Sequence, residues 1–255
     1  MSILILQHVI MILKDKIIIV AGGYGLIGKA IVNDIVKKGG VAVNADISAN
    51  DDLTKNSIKL DITDEASIKS VIEDVYNHYK KIDGLVNTAY PRTKDWGDVF
   101  EKIKIESWRK NVDMQMNSIF YICQQVLNYM QKASSGSIVN LASIYGIVGN
   151  DFTLYEGLGM SSAAAYSAIK GGIINFTRYL ASLYGKYNIR VNCVSPGGIF
   201  DHQNPTFVER YNEKVPMRRM GNPDDIAQPV SFMLSNEAKY ITGHNLVVDG
   251  GWTAI

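Results

Sequence analysis

Cysteine, net charge and long apolar runs are all scarce in this chain of 255 residues. Cys123 and Cys193 are the only cysteines, and each lies within an apolar stretch, which predicts free buried thiols in a reducing, cytoplasmic compartment. The formal net charge is +1, so we expect no electrostatically driven binding to nucleic acid. No run approaches the roughly 20 apolar residues of a membrane-spanning helix, so no membrane partner is expected. We also predict no metal site.

The N-terminus is apolar but does not have the pattern of a secretion signal. Its first thirteen residues, MSILILQHVIMIL, lack both a basic start and a small-residue cleavage site. A more usual lead-in to a first strand begins at Met11. An upstream translation start, a packed extension and a flexible tail are the alternatives for residues 1–10. We predict a dispensable extension there and a single domain over residues 11–255.

Short β-branched runs alternate with segments of helical periodicity along the chain. Residues 17–21 form a continuous apolar run that ends in glycine, as in a parallel strand buried on both faces. Further strands are predicted at 41–45, 57–60, 84–87, 137–141, 189–194 and 245–248. Helices are predicted at 26–38, 64–79, 105–132, 164–184 and 223–234. This rhythm predicts an α/β fold, a Rossmann-type doubly wound parallel sheet of about seven strands with helices on both faces.

The turn after the first strand has the composition of a dinucleotide site. Gly22, Gly25 and Gly28 let the backbone approach a pyrophosphate at the N-terminus of the following helix. The second strand ends at Asp46, whose carboxylate can accept hydrogen bonds from the adenosine ribose and repels a 2′-phosphate. No Lys or Arg in residues 46–52 counters that repulsion. We therefore predict NAD in preference to NADP, the alternative for Asp46 being a solvated loop carboxylate.

Two residues four positions apart predict acid–base chemistry. Tyr166 and Lys170 share one face of a predicted helix. A phenol with a pKa of about 10 is a poor base near neutrality, and a neighbouring cation favours its phenolate. With Ser143, they can exchange a proton with a substrate hydroxyl or carbonyl while a cofactor exchanges a hydride. The alternative is an ordinary half-exposed helix face.

Together these residues resemble the short-chain dehydrogenase/reductase family, over essentially the whole chain from Lys16 onward. The segments that match are the glycine turn, Asp46, Leu60-Asp61, Asn87-Thr88-Ala89, Ser143, Tyr166 with Lys170, and residues 190–197 and 248–251. The resemblance implies that Ser143 orients the substrate oxygen and that Tyr166 transfers its proton. Lys170 would hold the nicotinamide ribose and lower the pKa of Tyr166. Implied cofactor contacts are Leu26, Ile27, Asp61, Ile62, Asn87, Ala89, Pro196, Gly197 and Ile199, and Asp61 can equally be a helix cap.

Three of the chain's departures from the family pattern lie in short motifs, the first of which also has Ala21 in place of a threonine. In the turn, Leu26 occupies the position of the family's middle glycine, and Gly25 restores a regular glycine spacing. In the motif that begins at Asn87, Tyr90 replaces the glycine that the family has after Ala89. Gln115 replaces the asparagine that supports a water-mediated proton relay in the family. We expect Gln115 to alter the relay without abolishing it, with Asn111 as a possible substitute.

A fourth departure lies between Ser143 and Tyr166, where residues 150–162 contain an insertion of about ten residues. It is either a tolerated surface loop or, as we predict, a wall of the substrate pocket with contacts from Tyr155 and Glu156. Its apolar residues Leu154, Leu158 and Met160 instead suit an acyl chain. The insertion and residues 143–146 and 90–92 also resemble the flagellin-modification oxidoreductases of bacterial sugar-biosynthesis clusters.

Residues 199–220 lie where the family places a substrate lid, and they are rich in hydrogen-bonding groups. His202 is more readily a polar lid residue than a base, and Arg92 either pairs with a substrate phosphate or carboxylate or is solvated. We predict an oxidoreductase acting on a small polyhydroxylated substrate such as a sugar or nucleotide sugar. A reductase of another carbonyl, such as a 3-oxoacyl thioester, and a non-catalytic NAD-binding protein are the alternatives. The long apolar helices predict a homotetramer or homodimer.

Overall fold

The computed structural model of the protein describes residues 11–255, so the predicted extension at 1–10 lies outside the described residues. Seven parallel strands form one sheet in the order β3-β2-β1-β4-β5-β6-β7. The strands are β1 (Ile17–Ala21), β2 (Val41–Asp46), β3 (Ser57–Lys59), β4 (Gly84–Asn87), β5 (Gly136–Leu141), β6 (Ile189–Pro196) and β7 (Asn245–Val248). The predicted doubly wound α/β sheet is confirmed.

Helices cover both faces of the sheet. They are α1 (Leu26–Lys37), α2 (Glu65–Tyr79), α3 (Ile105–Val112), α4 (Ser118–Ala133), α5 (Ala164–Tyr184), α6 (Pro205–Lys214) and α7 (Pro223–Leu234). Successive β1 side chains point to opposite faces, so Ile17 and Ile19 join the core under α2, α4 and α5, while Ile18 and Val20 join the core under α1 and α7. Both faces are buried, which explains the continuous apolar runs of the strands.

The helix predicted over 105–132 is present but is not uniform. A π-helical turn, Asp113–Asn117, separates α3 from α4, and Gln115 lies buried within it. Single π turns inside α-helices occur frequently at functional sites. The π-helical turn therefore includes Gln115, the residue that replaces the family's asparagine.

Helix α6 lies inside the segment predicted as a lid and was not predicted as a helix. Asn204 caps its N-terminus by accepting a hydrogen bond from Thr206 N at 2.9 Å, and Pro205 occupies the first turn. Both residue types favour a helix start, so the signal was present in the sequence. The lid segment therefore contains a regular element that can carry fixed contacts.

The order of the strands determines where a ligand can bind. β1 lies between β2 and β4, so the sheet reverses its winding between β1 and β4. Ligands of such sheets bind outside the carboxyl ends of the strands at this reversal. The glycine turn after β1 and the loops after β4, β5 and β6 all lie at that edge. None of the helices within residues 11–255 has the length and apolarity needed to cross a membrane.

Candidate active site

A cleft of about 970 Å³ opens at the carboxyl edge of the sheet. The structure brings most of the predicted residues together there: Gly22, Gly25, Leu26, Ile27, Asp46, Asp61, Ile62, Ala89, Arg92, Ser143, Tyr155, Tyr166, Lys170, Pro196, Gly197 and Ile199. Four predicted residues do not line the cleft, namely Asn87, Gln115, Glu156 and His202. The cleft therefore joins the predicted cofactor residues to the predicted catalytic residues in one continuous space.

The glycine turn is packed too closely to accept side chains. A Cβ at Gly28 would lie 2.1 Å from the carbonyl oxygen of Gly22, and a Cβ at Gly22 would lie 2.6 Å from the backbone nitrogen of Ala89. Gly22 also has a φ of +85°, which L side chains rarely adopt. The turn leads directly into the N-terminus of α1, whose free NH groups suit an anion. The site fits the pyrophosphate of a dinucleotide.

Backbone hydrogen bonds fix the carboxylate at the end of β2. Asp46 Oδ2 accepts from Tyr24 N at 3.1 Å, and Oδ1 accepts from Ser48 N at 2.9 Å. Each oxygen keeps a further lone pair for a ligand hydroxyl. Asp61 Oδ1 accepts from both the backbone nitrogen and the hydroxyl of Thr63. Asp61 thus stabilises the turn before α2 and also lines the cleft.

Ser143, Tyr166 and Lys170 converge because the turn after β5 packs directly against α5. Ser143 is 4% exposed, and its Oγ accepts a hydrogen bond from Tyr145 N at 3.2 Å. A Cβ at Gly146 would lie 2.6 Å from the Lys170 carbonyl carbon, so only glycine permits this approach. Lys170 Nζ donates to the carbonyl oxygen of Leu141 at 2.7 Å and lies 5.5 Å from the centroid of the Tyr166 ring.

Burial is the main influence on both ionisable groups of this cluster. It raises the pKa of the Tyr166 phenol, which the hydrogen bond with Ser143 opposes, and it lowers the pKa of Lys170 to about 8. The resemblance predicted that Lys170 lowers the pKa of Tyr166, but burial raises that pKa, and Lys170 Nζ donates its hydrogen bond to the Leu141 carbonyl oxygen. A neutral phenol in this position is suited to donating a proton to a substrate oxygen.

Asn87 has a side chain that points into the protein. Its Nδ2 donates to Asn140 Oδ1 at 2.8 Å, and Asn140 Nδ2 donates to Thr177 Oγ1 at 3.1 Å. All three side chains are buried. This network ties β4, β5 and α5 together, so the Asn87 side chain supports the site from below the cleft.

The amides considered for a proton relay hold a loop instead. Gln115 Nε2 donates to the carbonyl oxygen of Pro91 at 2.9 Å, and Asn111 Oδ1 accepts from Thr93 N at 3.0 Å. Both side chains are buried. They fix the two sides of Arg92, which is exposed and lines the cleft.

An aromatic wall beside the catalytic cluster was not assigned from sequence. The Tyr90 ring lies 5.6 Å from the Tyr166 ring and 5.7 Å from Lys170 Nζ, and Trp96 packs edge-on against Tyr90 at 5.7 Å. The Arg92 guanidinium lies 5.2 Å from the centroid of the same Tyr90 ring. The available signal was the replacement of a family glycine by Tyr90. Further cleft residues without a sequence assignment are Tyr145, Phe207 and Tyr211.

The insertion is closed at its base and folded against α6. Asn150 bridges its ends, because its amide nitrogen donates to Ser162 and its Oδ1 accepts from Ser167 Oγ at 2.8 Å. Leu154 is fully buried and Leu158 packs with it against α6, so both serve this contact and not an acyl chain. Met160 lines the cleft.

Two of the predicted substrate contacts point elsewhere. Glu156 is exposed outside the cleft, and its backbone oxygen accepts from Arg210 Nη1 at 2.7 Å. His202 is exposed, lies 5.4 Å from the Phe200 ring and faces a separate surface groove with Val208. Neither residue lines the cleft in which the other predicted substrate residues, Arg92 and Tyr155, lie.

Known proteins are similar to this chain over nearly its whole length. The family model described as enoyl-(acyl carrier protein) reductase matches residues 26–253. The post-translational flagellin modification protein A of Campylobacter coli is 37% identical over 253 residues, covering 94% of this chain and 99% of that protein. A 3-oxoacyl-(acyl-carrier-protein) reductase of Thermotoga maritima is 33% identical, covering 94% of this chain and 98% of that protein.

A solved structure supports the same grouping. A short-chain dehydrogenase from Leptospira borgpetersenii with bound NAD⁺ superposes with a TM-score of 0.85 at 34% identity, covering 94% of each chain.

Proposed function

The chain belongs to the short-chain dehydrogenase/reductase family of oxidoreductases, and we propose that it uses NAD to interconvert a secondary alcohol and a ketone on a sugar or nucleotide sugar. The geometry that supports the reaction is the convergence of Ser143, Tyr166 and Lys170 beside a turn shaped for a pyrophosphate. NAD supplies the hydride acceptor or donor when it is bound.

The residues of the cleft divide the remaining tasks. The Ser143 hydroxyl orients the substrate oxygen, and the Tyr166 phenol gives a proton to that oxygen in reduction or removes one in oxidation. Lys170 would hold the nicotinamide ribose, and its ammonium would favour the phenolate when the proton leaves. Asp46 would bind the adenosine ribose, and its negative charge would disfavour a 2′-phosphate.

The residues at the substrate end of the cleft support the proposal of a polyhydroxylated substrate. Six residues that carry a side-chain hydroxyl line the cleft from three separate segments, namely Ser143, Tyr145, Tyr155, Ser161, Ser162 and Tyr166. Rings that present an apolar face and a polar edge suit a sugar, whose faces are apolar and whose rim is polar. The exposed guanidinium of Arg92 adds a site for a phosphate or carboxylate on the same substrate. The similarity to a flagellin modification protein is in line with the resemblance noted in the sequence, from which the sugar proposal was drawn.

A 3-oxoacyl thioester is the second candidate, favoured by the similarity to a 3-oxoacyl reductase and by Met160 in the cleft. A panel of nucleotide-linked sugars, hexose phosphates and 3-oxoacyl thioesters, followed by NADH absorbance in both directions, separates the two. We expect the highest kcat/KM among the sugars. A kcat/KM for the thioester above that of every sugar would reject the sugar proposal and establish the alternative.

We also propose that the protein is a homo-oligomer, either a tetramer or a dimer. Helices α4 and α5 expose large apolar side chains, among them Phe120, Tyr179 and Leu183. The rings of Phe120 and Phe176 lie 6.2 Å apart, so the exposed groups of the two helices form one surface. Covering this surface with the same surface of a second copy would give a four-helix contact with two-fold symmetry.

A further inference from the structure

One guanidinium on α6 joins this helix to the insertion. Arg210 Nη1 donates to the carbonyl oxygen of Glu156 at 2.7 Å and to those of Thr153 and Leu154 at 3.3 Å each. These carbonyls lie in and just after a short 3₁₀ turn, Phe152–Leu154, where backbone acceptors lack partners within the turn. Arg210 therefore caps the turn with a charged donor from a different element.

Apolar packing and an ion pair reinforce this junction. Leu154 is 0% exposed and is enclosed by a cluster on and after α6 that consists of Phe207, Tyr211, Val215 and Met220. The Tyr155 ring lies 5.3 Å from the Phe207 ring. Lys214, at the end of α6, forms an ion pair with Asp151 at the beginning of the insertion. The insertion thus contacts α6 from Phe207 to Lys214.

Helix α6 is fixed in turn to the loop after β6. The Tyr211 hydroxyl accepts a hydrogen bond from Gly198 N at 2.6 Å. A Cβ at Gly198 would lie 2.8 Å from the Tyr211 ring, so the absence of a side chain permits this contact. Pro196 and Gly197, immediately before Gly198, line the cleft. The contacts run without a gap from the insertion through α6 to the edge of the predicted nicotinamide pocket.

We propose that Arg210 is a positioning residue that locks the insertion and α6 into one unit and thereby holds Tyr155 at the substrate end of the cleft. The role assigned to Tyr155 rests on the proposed function, whereas the locking of the two segments does not. The family relationship alone does not predict this unit, because the insertion is the departure of this chain from the usual pattern. The consequence is that segments 150–162 and 205–214 open and close together.

Amide hydrogen exchange followed by mass spectrometry tests the locking without any substrate. Arg210→Ala should raise exchange about tenfold in both segments, because hydrogen bonds from a charged donor are lost. Peptides from β1 and α1 should exchange as in the wild type. Glu209→Ala is the matched control, since Glu209 is exposed on the same helix and its side chain forms no hydrogen bond or ion pair with residues 150–162. Arg210→Lys keeps the cation and should restore part of the protection.

Wild-type exchange in either segment of Arg210→Ala would overturn the proposal, because the two would not depend on one junction. If Arg210→Ala fails to fold, the test is made with Arg210→Lys, whose amide exchange in both segments is compared with that of Glu209→Ala.

Kinetics with the best substrate of the panel provide a second measurement. KM should rise about tenfold with a smaller change in kcat and unchanged NAD affinity, whereas an unchanged KM would overturn the role of Tyr155. A wild type that turns over nothing in the panel would refute the proposed function, and exchange would still decide the locking.

Discussion

The cofactor preference depends on Asp46, so its removal has a calculable effect. In Asp46→Ala a bound adenosine ribose loses hydrogen bonds to a charged group, which contribute roughly 1.5–3 kcal/mol. Since 1.4 kcal/mol is about a tenfold change, the Kd for NAD should rise by roughly 10- to 100-fold. The two backbone groups that hold the carboxylate, Tyr24 N and Ser48 N, are close to solvent and can bond to water instead.

The same substitution should improve NADP binding. A carboxylate about 4 Å from a doubly charged phosphate is repelled by about 2 kcal/mol even at the dielectric constant of water. Removing this repulsion should lower the Kd for NADP by about 30-fold. Asp46→Asn is the matched control, because it removes the charge but keeps one acceptor oxygen, so NADP should gain equally while NAD loses less.

Isothermal titration calorimetry with both cofactors measures the four constants needed. The ratio of the NADP and NAD dissociation constants should fall by about three orders of magnitude from the wild type to Asp46→Ala. Equal affinities in the wild type would refute the preference itself. An unchanged ratio in Asp46→Ala would show that discrimination lies elsewhere in the cleft.

Three further predictions concern the buried lysine, the insertion and the helical surface. Burial lowers the pKa of Lys170 to about 8 in the folded protein, against about 10.5 in the unfolded chain. Between these pH values the unfolded state binds more protons than the folded state. The free energy of unfolding in urea should therefore rise with pH across this window in the wild type, and should rise less in Lys170→Met. Equal slopes for the two proteins would contradict this. Replacing residues 151–161 by a short Gly-Ser link should leave the affinity for NAD near normal. It should reduce turnover by roughly 100-fold, because the substrate is no longer positioned. A near-normal kcat/KM would show that the insertion is dispensable for activity. Light scattering at micromolar protein concentration should give the mass of a dimer or tetramer. Tyr179→Asp should weaken the association, because Tyr179 is 63% exposed on the surface proposed as the contact. A monomeric wild type would contradict the proposed oligomer.

The layout of the sheet and the cofactor end of the cleft could be predicted because each rests on a local pattern. Strand β1 consists of five consecutive apolar residues because both its faces are buried. Gly22 and Gly28 of the turn must lack side chains because neighbouring backbone atoms approach them so closely. The residues that carry these features are adjacent in the chain. Helix α6 escaped prediction because its few apolar residues were masked by the polar composition of the lid segment.

The substrate end was predicted less well because it is assembled from distant segments. Nothing in the sequence places the Tyr90 ring against Tyr166, or shows that Gln115 bonds to the Pro91 carbonyl. Glu156 was assigned to the pocket by its position in the insertion, yet alternate residues of this irregular loop face in different directions. Tyr155 lines the cleft, whereas Glu156 is exposed and does not line it. Such orientations depend on the contact with α6 and not on local periodicity.

The most direct test of the account is Tyr166→Phe, measured by NADH absorbance with the best substrate and by calorimetry with NAD. Tyr166 lies in the cleft beside Ser143 and Lys170, and the substitution removes one oxygen atom while keeping the ring that packs against Tyr90. We predict that turnover falls by at least about 100-fold, within the range for loss of a general acid, while the Kd for NAD stays close to the wild-type value. Retention of a tenth of the wild-type rate, roughly 1.4 kcal/mol, would place the proton-transfer group elsewhere and contradict the assignment of the site.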